Sequence, residues 1–121
     1  MEAAVIIERD FMVDEKLADL RCVPCRGGEP PLKSQEAKEL AEQLSKDWQI
    51  IEDHHIERQF KFKNFLAALD FVNKAGWLAE DEGHHPDICF GWGWVKITLW
   101  THKIGGMSKN DFILAAKIEK L

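Results

Sequence analysis

From Ser34 onward, apolar positions switch between two spacings. Ala37, Leu40, Ala41 and Leu44 recur at helical intervals behind Ser34, an N-cap candidate, with Glu36 and Glu39 where the helix dipole favours negative charge. This predicts a first helix over about Ser34 to Lys46. At Trp48 the period drops to two. Trp48 to Glu52 reads as a strand, Asp53-His54-His55 as a polar turn, and Ile56 to Lys63 as the return. There Phe60 and Phe62 share the face of Ile56 while Glu57, Gln59 and Lys61 point the other way. Asn64 then caps a second helix, whose stripe of Phe65, Leu69, Val72, Gly76 and Ala79 is widened by Ala68 and Ala75. It ends near Asp81, before Gly83 and Pro86. Gly76 is worse than Ala inside a helix by roughly 1 kcal/mol, which predicts a close packing contact there. Ile88-Cys89-Phe90 and Val95 to Thr101 form a second hairpin around Gly91-Trp92-Gly93. After the Gly105-Gly106 turn, Ser108 caps a last helix through about Lys120.

The order is therefore α-β-β-α-β-β-α, an α+β domain with a four-stranded antiparallel sheet and helices on one face. Residues 1–33 show no clean period. Val5-Ile6-Ile7 reads as a short strand or arm, and Arg26-Gly27-Gly28-Glu29-Pro30-Pro31 is turn chemistry that keeps the chain extended. The expected organisation is an N-terminal extension, 1–33, packed on the domain or partly mobile, and one domain, 34–121.

Composition narrows the function classes. A chain of 121 residues, 45% hydrophobic and 31% charged, is ordinary for one soluble domain with one core. A net charge of -5 and a pI of about 5.5 argue against a nucleic-acid partner. No apolar run approaches the ~18 residues of a membrane span. The N-terminus lacks the basic flank and apolar stretch of a secretory signal. Three cysteines leave an odd one, which suits a reducing cytoplasm. Cys22-x-x-Cys25 is half of a possible zinc site, with no second pair to complete it.

Candidate chemistry concentrates between Glu80 and Asp111. That stretch carries three of the five histidines, His84, His85 and His102, with carboxylates at both ends. An imidazole titrates near ~6.5, so each ring gives or takes a proton at neutral pH. Paired residues of an antiparallel hairpin have a constant sum of numbers. A turn centred near residue 93 brings His102 opposite position 84, onto the His84-His85 pair, within a residue or two. Glu80, at the end of the second helix, and Asp111, opening the last, can reach the same space.

These residues resemble the pterin-4a-carbinolamine dehydratases, also known as dimerisation cofactors of a homeodomain transcription factor. The family pattern is an acidic residue, His-His-Pro, an aromatic, a His and an Asp. It is met here by Glu80, His84-His85-Pro86, Trp92, His102 and Asp111. The likeness extends through Trp48, Phe60-x-Phe62 and the second helix, from about Ser34 to the end. Cys22 to Leu32 is similar to an extension carried by some members. Gly83 departs from the pattern, since an acidic or polar residue often precedes the histidine pair. The resemblance implies a hydro-lyase that dehydrates 4a-hydroxytetrahydropterin to the quinonoid dihydropterin, in tetrahydropterin recycling, without metal or organic cofactor. It implies His84 and His102 as the acid-base pair and His85 holding the pterin. Glu80 and Asp111 would orient the rings, and Trp92 or Trp100 would offer a flat wall. Exposed edges of an antiparallel sheet pair readily with a second copy, so a homodimer or homotetramer is expected.

Other readings of the same residues stay open. His84-His85 before Pro86 could be only a loop, and His54-His55 is read as a surface turn. Asp111 stands three after Ser108, the spacing of a capping box, and capping and catalysis are compatible. Trp92 and Trp100 could be core or interface. Three histidines could hold zinc, although adjacent ligands fit one tetrahedral ion poorly. The rival from another class is a dimerisation module acting as a transcriptional cofactor without turnover.

Overall fold

The structure, a computed structural model, describes residues 16–121. The expected Val5-Ile6-Ile7 arm lies outside the described residues. Helix α1 spans Ser34–Ala41, strand β1 Gln49–Ile51 and β2 His55–Lys61. Helix α2 spans Phe65–Glu82, β3 Asp87–Gly91, β4 Trp94–Leu99 and α3 Lys109–Ile118. Short 3-10 helices stand at Leu17–Asp19 and His102–Ile104. The strands form one antiparallel sheet in the order β1-β2-β4-β3, and the helices lie on one side. The predicted order and fold class hold.

Alternation builds the core. Ile56 on β2 and Val95, Ile97 and Leu99 on β4 point to the helical side and are fully buried beneath Phe112 and Leu114 of α3. Each such side chain contributes roughly 1.5–3 kcal/mol. Lys96 between them is exposed, as a period of two requires.

Several element ends differ from expectation for local reasons. Lys33, not Ser34, precedes the first helical residue of α1, and its N–H donates to Glu36 Oε1 at 2.8 Å. The helix stops at Ala41, and Leu44 reaches the core from the turn that follows. The first hairpin turns at Glu52 and Asp53, both at φ 54, so His55 already belongs to β2. Asn64 caps α2 as expected, its Oδ1 accepting the Ala67 N–H at 2.8 Å. The buried stripe of α2 runs through Ala68, Ala75, Ala79 and Glu82, whereas Phe65 is exposed. Gly76 therefore stands off the packed line, with nothing within 4 Å of where its Cβ would be, so the expected close contact is not there. β4 ends at Leu99, two residues early. Thr101 leaves the sheet to bridge Gly106 around the second 3-10 helix.

Residues 16–33 wrap over α3. Leu17 is buried, the Leu32 N–H donates to Met107 O at 2.9 Å, and Pro31 sits against Gly106 so closely that a Cβ there would meet it at 2.7 Å. No helix among the described residues is long and apolar enough to cross a membrane.

Candidate active site

The end of α2 fixes the first histidine. Gly83 takes the left-handed conformation, φ 69, that only glycine adopts without strain. Its N–H donates to Glu80 O at 3.2 Å, and the His84 N–H donates to Ala79 O at 3.2 Å, closing the helix with paired bonds. The glycine that departs from the family pattern is thus the residue that pins the His84 backbone.

The His84 ring is held from the other side. Its Nε2–H donates to Asp111 Oδ1 at 2.6 Å, and Asp111 is fully buried in the first turn of α3. The second carboxylate oxygen accepts the Ser108 N–H and the Thr101 hydroxyl, each at 2.9 Å. Ser108 Oγ stands 2.7 Å from Thr101 Oγ1. Capping and ring orientation are done by one side chain, because its two oxygens face different partners. A carboxylate only accepts, so an Nε2–H points at Asp111 and Nδ1 is the ring nitrogen left outside that bond.

His85 and Glu80 form a second, exposed couple, Nε2–H to Oε1 at 2.9 Å. Glu80 therefore meets His85 on the surface instead of entering the space around His84. His102 opens the second 3-10 helix and stacks on Trp100, ring centroids 3.8 Å apart at 25°. Trp100 also meets His54, at 4.5 Å, and His54 Nδ1 lies 3.0 Å from His55 Nδ1, so the two rings share one proton. His54 is indeed in the turn, whereas His55 opens β2, and His54 packs against the wall of the site. Its spacing in sequence carried no sign of that.

His84, His85, Pro86, Trp100 and His102 line one cavity of about 450 Å³. That is within the ~300–1,000 Å³ usual for small-molecule sites. The hairpin does bring the three imidazoles together: it pairs Gly91 with Trp94, so the turn is the dipeptide Trp92-Gly93, close to the expected centre. The same register places Trp92 elsewhere. It stands at the tip of the hairpin, 70% exposed and separated from the histidines by the whole of β3, roughly 17 Å long, outside this cavity. The flat wall is Trp100. The Thr101 hydroxyl and the N-terminal segment Val23–Cys25 also line the cavity; the segment was legible in sequence only as part of an extension, with nothing to place it at the site.

One buried charge lies behind the site. Glu82 is buried, and desolvation opposes its ionisation. The Cys22 N–H at 2.9 Å, Lys117 at 3.4 Å and Arg21 at 3.8 Å outweigh that and hold its carboxyl below the ordinary 4.5. Burial, with the Glu82 carboxylate nearby, pushes the Cys22 thiol up to about 12, so it stays protonated. Cys22 Sγ–H faces Asn110 O at 3.6 Å and Cys25 Sγ–H faces Glu29 at 3.8 Å, so the two cysteines are engaged separately.

Fold and pocket together define a small α+β domain of the pterin dehydratase kind. The solved structure of a transcriptional coactivator/pterin dehydratase from Brucella melitensis superposes with TM-score 0.69 at 33% identity, over 74% of this chain and 96% of its own. A pterin dehydratase-like protein described as a RuBisCO assembly factor in the alpha-carboxysome shares the fold alone, at 24% identity and TM-score 0.50. The sequence profile of the family "Pterin 4 alpha carbinolamine dehydratase" matches residues 30–121. A Rubrobacter xylanophilus protein named "Putative pterin-4-alpha-carbinolamine dehydratase" is 55% identical over 106 residues, 88% of this chain and 98% of its own. A protein of the same name from Alkaliphilus metalliredigens is 57% identical over 104 residues, 86% of this chain and 94% of its own. The chain belongs to the pterin 4 alpha carbinolamine dehydratase family, whose enzymes are hydro-lyases.

Proposed function

We propose that this protein dehydrates 4a-hydroxytetrahydropterin to the quinonoid dihydropterin by histidine acid-base catalysis, in tetrahydropterin recycling. Expelling the 4a-hydroxyl needs a proton delivered to its oxygen, while a ring N–H loses one; the balance is one water released. His84 and His102 carry the two transfers, each positioned group contributing ~10²–10⁴-fold. His85 holds the pterin, Pro86 stiffens the loop, and Asp111 and Glu80 keep His84 and His85 in fixed tautomers. The reading rests chiefly on the buried Asp111 carboxylate behind His84 in a cavity shared with the other two imidazoles. No metal or organic cofactor enters the scheme, and the site is read as cytoplasmic because an odd cysteine count suits a reducing compartment.

Turnover of synthetic 4a-hydroxytetrahydropterin by the purified protein tests this. His84→Ala, His85→Ala and His102→Ala should each lose most activity with an unchanged circular dichroism spectrum. Full activity in all three refutes the scheme. Self-association follows from the sheet: β3 is an open edge, and Leu66 and Trp77 on the outer side of α2 are 71% and 76% exposed. A homodimer or homotetramer is expected by light scattering, and Trp92 can approach a pocket only in such an assembly. The coactivator half of the Brucella protein's description supports a second reading, a dimerisation module. A captured partner retained by a protein without turnover would favour it.

A further inference from the structure

We propose that the segment Val23–Cys25, which precedes the residues matched by the family profile, is a wall of the substrate pocket and governs which ring substituent the pocket admits. The inference rests on the dehydratase reading of that pocket. The profile starts at residue 30, so this wall is not part of the pattern that defines the family. Yet Val23, Pro24 and Cys25 line the cavity opposite the histidine loop.

The segment is clamped there. Asn110, 5% exposed and next in sequence to Asp111, holds Val23 at both backbone groups: its Oδ1 accepts the Val23 N–H at 3.0 Å, and its Nδ2 donates to Val23 O at 2.6 Å. Upstream, the Cys22 N–H is taken by buried Glu82, which Lys117 neutralises. Downstream, Lys103 Nζ, one residue after His102, donates to Cys25 O at 3.1 Å. The fastenings on either side of Val23–Cys25 thus come from residues adjoining His84, Asp111 and His102, so wall and catalytic groups share one frame. The buried Asn110 amide, whose two partners are the backbone groups of Val23, keeps the segment closed, because its release would orphan them. The clamp uses only backbone groups of Val23, and the residue stays 67% exposed at the cavity, leaving its apolar side chain free to meet a substituent.

Thiol footprinting in the full-length protein tests the wall. In a Cys89→Ser background, alkylation by iodoacetamide is read by mass spectrometry separately at Cys25 and at Cys22, whose thiol burial holds protonated. Pockets cover most of a bound ligand, so a saturating dihydropterin product should slow Cys25 alkylation about tenfold. Val23→Phe should raise KM for the 6-dihydroxypropyl substrate more than for the 6-methyl substrate, with kcat little changed. An alkylation rate indifferent to pterin, or equal KM changes for both substrates in an active enzyme, overturns the wall and leaves the dehydratase reading standing. A wild-type protein that neither binds nor turns over pterin removes both.

Discussion

Replacing Asp111 by Asn isolates what the buried carboxylate does. The side chain is fully buried and accepts three hydrogen bonds: from His84 Nε2–H at 2.6 Å, and from the Ser108 N–H and Thr101 Oγ1–H at 2.9 Å each. Asparagine keeps one oxygen, which can serve Ser108 and Thr101, but turns an NH₂ toward His84. Two donors then face each other, and the imidazole escapes by moving its proton to Nδ1, so that Nε2 becomes the acceptor. The nitrogen that was free to exchange is now blocked. Loss of one charged hydrogen bond costs about 1.5–3 kcal/mol of stability. Loss of the positioned acid-base group should lower kcat by ~10²–10⁴-fold, with KM changed far less. Steady-state kinetics over pH 6–9 and thermal melts measure both terms. Asp111→Ala separates the capping role, since it also removes the cap, worth ~0.5–2 kcal/mol. If Asp111→Asn melts lower but turns over like wild type, Asp111 is a cap alone and the tautomer argument is wrong.

Three further outcomes are expected. The Glu82 carboxyl is held below the ordinary 4.5 in the fold, so its contribution is present above about pH 4.5 and lost as pH falls through the folded value. Glu82→Gln should destabilise by about 1–3 kcal/mol at pH 7, and the gap from wild type should close in melts as pH falls through the folded value. Trp100→Ala removes the ring on which His102 stacks, costing about 0.5–1.5 kcal/mol, and should depress turnover, whereas Trp100→Phe recovers most of it. Gly76 is helical with open space where a Cβ would go, so Gly76→Ala should stabilise by about 0.5–1 kcal/mol; a lower melting temperature would mean another copy packs there.

Periodicity in the chain determined the element order and the sheet, because burial of one face imposes a spacing of 3.6 or 2 wherever a helix or strand meets the core. The Asn64 cap and the hairpin register followed from side-chain chemistry and turn length, both local properties. The register alone brought His102 back to His84-His85. Which partner each ring takes was decided only by tertiary structure. His84 finds Asp111, 27 residues away, and Glu80 goes to His85, because hydrogen bonding depends on ångström-level placement that spacing does not encode. The same holds for Trp100 in place of Trp92 at the cavity. Trp100 follows directly on the last residue of β4 and Trp92 sits at the hairpin tip, and aromatic identity does not distinguish them. Residues 16–33 were legible as an extension but not in where they sit, for a further reason. They are fastened largely through backbone groups to Glu82, Asn110 and Lys103, and backbone hydrogen bonds leave almost no trace in side-chain pattern.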